Sequence, residues 1–355
     1  MCRMNTEEML EEFDVVVVGG GTAGLSGALT LARARRSVLV LDSGQPRNAP
    51  ADAAHGLLSR DGVSPRDLLR TGRIEVARYG GMLLQEGATS ARRTDGGFVV
   101  GTQSGRTFRA RRLLVTTGLV DELPEVPGLW ARWGRDVLHC PYCHGWEVRD
   151  RTIGVLGTSA ASVHQALLFR QWSPRVALFL HSGPEPSEEQ WERLAARGIE
   201  VVQGEVSGLE VTNDALSGVR LASGLRVPVD ALVVAPRFVA RGEILSGLGV
   251  DPVDHPMGVG TCVPSEPGGA TETPGVYVAG NVTDVMGGLP AAQASGVAAA
   301  AAINADLVNA DADEAVARRR SAQVFSAADE ALVCERVLGD RRHGLDSMLP
   351  PESGR

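Results

Sequence analysis

An apolar strand running into a glycine turn constrains this chain more than any other feature. Phe13–Val18 (FDVVVV) is a short apolar run of the kind a parallel sheet buries on both faces. Gly19-Gly20-Gly21-Thr22-Ala23-Gly24 follows, then an Ala/Leu-rich helix to about Arg35, then a second apolar strand, Ser37–Leu41, ending at Asp42. Strand, G-x-G-x-x-G turn, helix, strand and acid together spell the opening βαβ unit of a dinucleotide-binding fold. Gly19 permits the tight turn, Gly21 lets a pyrophosphate approach the backbone, and Gly24 lets helix and strand pack closely. The helix N-terminus supplies N–H donors to phosphate oxygens, and Asp42 can accept hydrogen bonds from an adenosine ribose.

A second βαβ opening begins at Thr152–Leu156 (TIGVL), with a turn through Gly157–Ser162, a helix from about Val163 and a strand at Val176–Leu180. Between the two lie a helix over Pro65–Tyr79, a meander at Phe98–Thr102 and Thr107–Ala110, and a further strand at Arg112–Thr116 ending at Gly118. Later come short strands at Ile199–Gln203, Glu205–Val211 and Ala231–Ala235. The strand Gly275–Ala279 runs into Gly280-Asn281, and an alanine-rich helix covers about Pro290–Ile303. The charged tail, 311–355, is expected to be partly helical and to end in a disordered Pro350–Arg355. The fold class is therefore α/β with two Rossmann-like nucleotide-binding sheets, in keeping with 355 residues and about two domains.

Composition removes several alternatives. All 35 Lys+Arg positions are arginine, so chemistries that need a lysine amine, such as Schiff-base catalysis or a Walker-type phosphate loop, are excluded. A net charge of −8 argues against a nucleic-acid partner bound by phosphate neutralisation. No apolar run is long enough to span a membrane, and the acidic start lacks a signal-peptide core, so a cytoplasmic location is expected.

Five cysteines are too few and too scattered for a disulfide scaffold. Only Cys140-Pro141-Tyr142-Cys143-His144 is informative. A C-x-x-C-H box can attach a c-type haem, but export, a distal ligand and a haem-sized helical domain are not visible. Half a zinc site lacks a second ligand pair, so no metal is expected. A redox dithiol fits best: the spacing lets the thiols close a small ring, and a CxxC between two nucleotide folds implies electron traffic between thiols and a flavin.

Several blocks of this sequence resemble the low-molecular-weight thioredoxin reductase family of pyridine nucleotide–disulfide oxidoreductases. They are VVVVGGGTAG at 15–24, LLVTTG at 113–118, LPEVPG at 123–128, HCPYCHGWEVRDRTIGVLG at 139–157 and GVYVAGNV at 275–282. The resemblance spans about 13–308. It implies an FAD domain in two pieces, 1–118 and 245–310, interrupted by a central domain, 119–244, that is NAD(P)-binding-like and carries the CxxC. It also implies a homodimer. By the same resemblance Gly19, Gly21, Gly24 and Asp42 hold the FAD pyrophosphate and ribose, and Gly118 lies in a second flavin-side turn. Gly280 and Asn281 stand for a Gly-Asp pair at the flavin phosphate and ribityl chain, with an amide in place of the acid. Gln293-Ala294 meets the pyrimidine edge of the flavin. Cys143 is the flavin-proximal thiol and Cys140 the interchange thiol.

The departures from that pattern carry information. The family places an acid after the second cysteine; this chain has His144, suited to take a proton from a thiol, or else to position the CxxC. The second turn reads Gly157-x-Ser159-x-x-Ser162, with side chains where a pyrophosphate needs none, and His181-Ser182-Gly183 follows the next strand without the arginine cluster a 2′-phosphate requires. NAD(P)H binding is therefore doubtful, although an unusual working site is the alternative. The CPYCHGWE block is more similar to the branch of dithiol oxidases that close disulfides in small natural products. The function implied is FAD-dependent oxidation of a small-molecule dithiol through Cys140–Cys143, with O2 as acceptor giving hydrogen peroxide. An NAD(P)H-dependent disulfide reductase and a flavin-bound redox sensor are the alternatives. Trp130, Trp133, Tyr142 and Trp146 surround the CxxC in sequence, either as an apolar pocket for the dithiol or as core. His55, in a loop near the flavin, and Cys334, in the tail, are further candidates; Cys2 and Cys262 are expected to be plain thiols.

Overall fold

The computed structural model describes residues 11–322 and 327–338. The chain divides into two compact units, Met1–Asn304 and Ala305–Arg355.

The first unit holds both expected sheets. In one, the strands run in the order Met82–Leu84, Val38–Leu41, Glu11–Val18, Thr107–Val115, Gly97–Thr102, Ala88–Thr94, and Val276–Val278 also pairs with Thr107–Val115. Val38–Leu41 and Thr107–Val115 flank Glu11–Val18, both parallel to it. Val15, Val16 and Val17 are wholly buried, each worth roughly 1.5–3 kcal/mol of apolar burial. The meander strand and the apolar strand expected at 107–110 and 112–116 are one continuous strand. Its first half pairs antiparallel with Gly97–Thr102, while its apolar second half, Leu113–Val115, pairs parallel with Val276–Val278. The change of partner explains why the sequence reads as two pieces.

The second sheet is wholly parallel, in the order Glu200–Val202, Val176–Phe179, Ile153–Leu156, Ala231–Val233, Val137–Leu138. Two antiparallel strands, Leu119–Glu122 and Arg237–Ala240, lie in sequence between the strands of the two sheets. A helix over Glu188–Ala196, not anticipated from the sequence, starts at a capping box in which Ser187 and Gln190 exchange hydrogen bonds. The helices Thr22–Arg33 and Leu289–Ala322 meet through glycine: a Cβ at Gly296 would fall on the Ala23 carbonyl oxygen. That second helix runs well beyond the expected Ile303.

The second unit, in its described residues, is helical: the remainder of Leu289–Ala322, and Ala327–Leu338. Cys2, the side chain of Cys334 and Pro350–Arg355 lie outside the described residues. Among the described residues no helix is long and apolar enough to cross a membrane.

Candidate active site

The ends of the parallel strands in both sheets open on one cavity of about 1830 Å³, larger than an ordinary single-ligand pocket of roughly 300–1,000 Å³. Its wall includes Gly19, Gly21, Asp42, Gly118, Gly280 and Asn281 together with Cys140, Cys143 and His144.

The first turn is built to leave its donors open. Gly19 sits at φ +106, and a Cβ there would lie 2.5 Å from the Thr116 carbonyl oxygen. A Cβ at Gly24 would fall on the Gly19 carbonyl oxygen, and one at Gly20 would lie 2.6 Å from the Asp42 carboxyl. Gly20, given no role by its place in the motif, is therefore as constrained as its neighbours. At Gly21, the N-cap of Thr22–Arg33, a Cβ would meet nothing within 4 Å among the described residues. The glycines that pack and the glycine that faces the cavity are thus different ones, and an extended pyrophosphate fits at the second kind. Asp42 is held ready by Arg73, 2.7 Å from Oδ2, and by the Gly44 N–H, which donates to Oδ1 at 3.2 Å; the remaining carboxylate lone pairs can accept from a ribose.

Gly118 (φ +71) and Gly280 (φ +75) adopt left-handed backbone beside this turn. The amide at Asn281 has a structural reason. Its Nδ2 donates to the Asp284 and Gly287 carbonyls, both at 2.8 Å, and its Oδ1 faces Arg47 at 3.5 Å. A carboxylate could make neither donation. Gln293 and Ala294 are not brought to the cavity wall. Gln293 lines a separate cavity of about 250 Å³ with Leu25, Leu57 and Leu68, Ala294 is exposed, and Pro290 and Ala292 reach the main cavity instead. One helical turn spreads these neighbours over different faces, which linear matching cannot resolve.

Cys140 and Cys143 form a disulfide, with Cα atoms 5.3 Å apart, across the single turn Pro141–His144. Cys140 is the N-cap and Pro141 opens the turn, where a missing N–H costs nothing. Tyr142 stands edge-on to Trp172, ring centroids 5.8 Å apart, and a Cβ at Gly145 would lie 2.8 Å from the Trp172 ring. The aromatic group differs from the one expected: Trp133 and Tyr142 line the cavity, whereas Trp130 and Trp146 are exposed and do not. Trp172 is the added member.

Both ring nitrogens of His144 are buried, and neither meets a hydrogen-bond partner among the described residues. Burial pushes the imidazole below its ordinary value, the nearby Glu147 charge offsets part of this, and His55 adds to it. The ring is therefore neutral near pH 7 and free to accept a proton. His139, also on the cavity wall, points Nδ1 at the Val234 carbonyl (3.1 Å) and packs edge-on to Phe238; burial lowers its pKa too. Arg47 pairs with both Asp121 oxygens at 2.6 and 2.8 Å and covers the Phe238 ring. Cys262 is a buried free thiol whose pKa burial raises, which disfavours the reactive thiolate.

Two N–H groups of the second turn are engaged by the protein's own atoms, although Thr158, Ser159, Ala160 and Ala161 line the same cavity. The buried Ser162 hydroxyl accepts from the Thr158 and Ser159 N–H groups at 3.2 and 3.4 Å. The Ser182 and Gly183 N–H groups donate to the Gly157 carbonyl at 3.1 and 2.9 Å, folding the loop after Val176–Phe179 onto the turn. His181, at φ +45, turns Nδ1 inward to accept from the Val206 N–H at 3.0 Å. Ser162 acts as an internal acceptor, where the sequence suggested only crowding.

Comparisons with known proteins agree with this arrangement. The chain is 43% identical to HlmI, whose crystal structure superposes with a TM-score of 0.82 over 88% of this chain and 98% of that one. An oxidoreductase from Agrobacterium tumefaciens is 34% identical with a TM-score of 0.78, over 84% of this chain and 99% of that one. Thioredoxin reductase sirT of Leptosphaeria maculans is 30% identical over 318 residues, 84% of this chain and 95% of the relative. The model for pyridine nucleotide-disulphide oxidoreductases matches residues 13–296, and with the open glycine turn and the Cys140–Cys143 disulfide on one cavity this chain belongs to that oxidoreductase family.

Proposed function

We propose that the protein is an FAD-dependent dithiol oxidase that closes a disulfide in a small molecule. The observation that carries this reading is the contrast between the two turns. The first faces open space at Gly21, while in the second the Ser162 hydroxyl takes the Thr158 and Ser159 N–H groups. With two of its donors engaged, the second turn is the weaker dinucleotide site, and in this reading electrons enter through the disulfide on the cavity wall.

A substrate thiol loses its proton to neutral His144 and attacks the Cys140 sulfur; a substrate–Cys140 bond forms as the Cys140–Cys143 bond breaks, leaving Cys143 as thiolate. The second substrate thiol gives its proton to the Cys143 thiolate and attacks the first substrate sulfur; as this bond forms the substrate–Cys140 bond breaks, the cyclic disulfide leaves, and Cys140 is released as thiolate. Gly19–Gly24, Asp42, Gly118 and Gly280 would hold FAD, which would supply a two-electron carrier between the reduced cysteines and O2. Two electrons and two protons leave the dithiol and arrive as hydrogen peroxide. The unpartnered ring of His144 suits this cycle: a buried polar group without a partner costs about 1–3 kcal/mol, and reduction of the adjacent disulfide creates thiol groups that can provide one. The protein works as a homodimer in this reading.

The second reading is an NAD(P)H-dependent reductase, favoured by the strand–turn–helix at Ile153–Phe169 and by names such as sirT's. Peroxide release decides between them. A model dithiol in air, with no nicotinamide, is expected to give one hydrogen peroxide per disulfide formed. Cys140→Ser and Cys143→Ser are each expected to abolish it while the protein stays yellow. No peroxide without NAD(P)H would favour the reductase.

A further inference from the structure

His55 stands between two carboxylates. Its Nδ1 faces Asp61 Oδ2 at 3.3 Å and its Nε2 faces Glu147 Oε1 at 3.4 Å. It is presented by a closed loop: Ala54 and Val63 pair through their backbones, and the Gly56 N–H donates to the other Asp61 oxygen at 2.9 Å. Glu147 lies three residues beyond His144, so one side chain links this loop to the redox turn. The ring thus stands between two carboxylates, with Glu147 on the His144 side.

We propose that His55 is a positioning residue for the redox turn: by pairing with Glu147 it fixes how much of that negative charge reaches His144, and so sets the pH at which His144 takes a proton from an incoming thiol. The proposal rests on the reading of His144 as the base. The charged and titratable groups around His144 are few: Glu147 beyond its own turn, His55 with Asp61 from the loop, and His139 at the end of Val137–Leu138, itself neighboured by Arg47 and Asp121. Glu147 favours the charged imidazole of His144 and His55 disfavours it. Removing Glu147 and removing His55 therefore move His144 in opposite directions.

The test is an NMR titration of protein carrying labelled histidine, with the His144 signal assigned by its loss in His144→Asn. Relative to wild type, Glu147→Gln is expected to lower the His144 midpoint and His55→Gln to raise it, each by roughly half a unit to one unit, less than the 1–3 units of a close ion pair. The acid limb of dithiol-driven disulfide exchange should follow: to lower pH in Glu147→Gln and to higher pH in His55→Gln. Both variants must keep the flavin spectrum and melting temperature of wild type. If either loses them, the same titration on Asp61→Asn decides: freeing His55 to hold Glu147 more fully should lower the midpoint. Shifts in the same direction, or none, in the folded variants overturn the proposal. Because the titration needs no turnover, opposite shifts without peroxide formation would contradict the oxidase reading alone.

Discussion

The turns at Gly19–Gly24 and Gly157–Ser162 share a backbone plan and end in opposite chemistry. Each follows a buried parallel strand and opens a helix. In the first, glycine is used three times for packing and once for vacancy: Gly19 and Gly24 press against backbone and Gly20 against Asp42, while Gly21 faces the cavity. In the second, the position corresponding to the last glycine is Ser162, and its hydroxyl takes the N–H groups a phosphate would need. A single hydroxyl thus engages two N–H groups of the second turn. A strand–turn–helix motif says where a dinucleotide can bind; the partners of its N–H groups say how many donors remain for one.

The largest effect expected from this contrast is at Gly21. Gly21→Leu fills the approach without touching the protein's own atoms, so FAD affinity should fall by about 4 kcal/mol, roughly a thousandfold, while the colourless protein keeps its circular dichroism. Retained yellow colour would mean that the first turn does not hold the pyrophosphate. A smaller effect is expected at Ser162. Ser162→Gly frees two N–H groups, each worth about 1.5–3 kcal/mol to a charged acceptor. NADPH binding, followed by calorimetry, should strengthen by about a hundredfold; no gain would show that these two donors do not govern nicotinamide binding.

How much of this was legible in the sequence follows from the range of the interactions. Gly19, Gly21, Gly24 and the CxxC act through neighbours close in the chain, so their spacing carries their meaning. Asp42 could be placed, but not Arg73 beside it, 31 residues away; the pair of Arg47 with Asp121 and the contact of His55 with Glu147 are likewise products of tertiary packing. The split pairing of Thr107–Val115 and the rotation of Gln293 away from the cavity belong to the same class. Ser162 was visible as a departure from glycine, but its hydrogen bonds were not. The helix Glu188–Ala196 was legible in principle from the Ser187–Gln190 capping box.

The smallest expected effect distinguishes the turns by pH. Burial lowers the pKa of His181 from the ordinary 6.5, so the unfolded chain binds this proton more readily than the folded one. The stability this group lends is present above 6.5 and is lost as pH falls through its lower folded value. Protonation of Nδ1 also removes the acceptor for the Val206 N–H. Hydrogen exchange at Val206, corrected for intrinsic rates, should therefore accelerate below pH 6.5 while Gly19 and Leu25 keep their protection. Equal loss at both turns would erase the distinction.

The central claim is that electrons enter through Cys140–Cys143 and not through the second turn. Its most direct test is anaerobic stopped-flow at the flavin absorbance band of the purified holoprotein, mixing it with a stoichiometric dithiol or with millimolar NADPH or NADH. The account predicts bleaching by the dithiol at a rate that supports turnover, and bleaching by either nicotinamide slower by about a thousandfold, the equivalent of two or three lost charge-assisted hydrogen bonds. Fast bleaching by NADPH or NADH, at a rate matching turnover, would contradict it and make the protein a reductase.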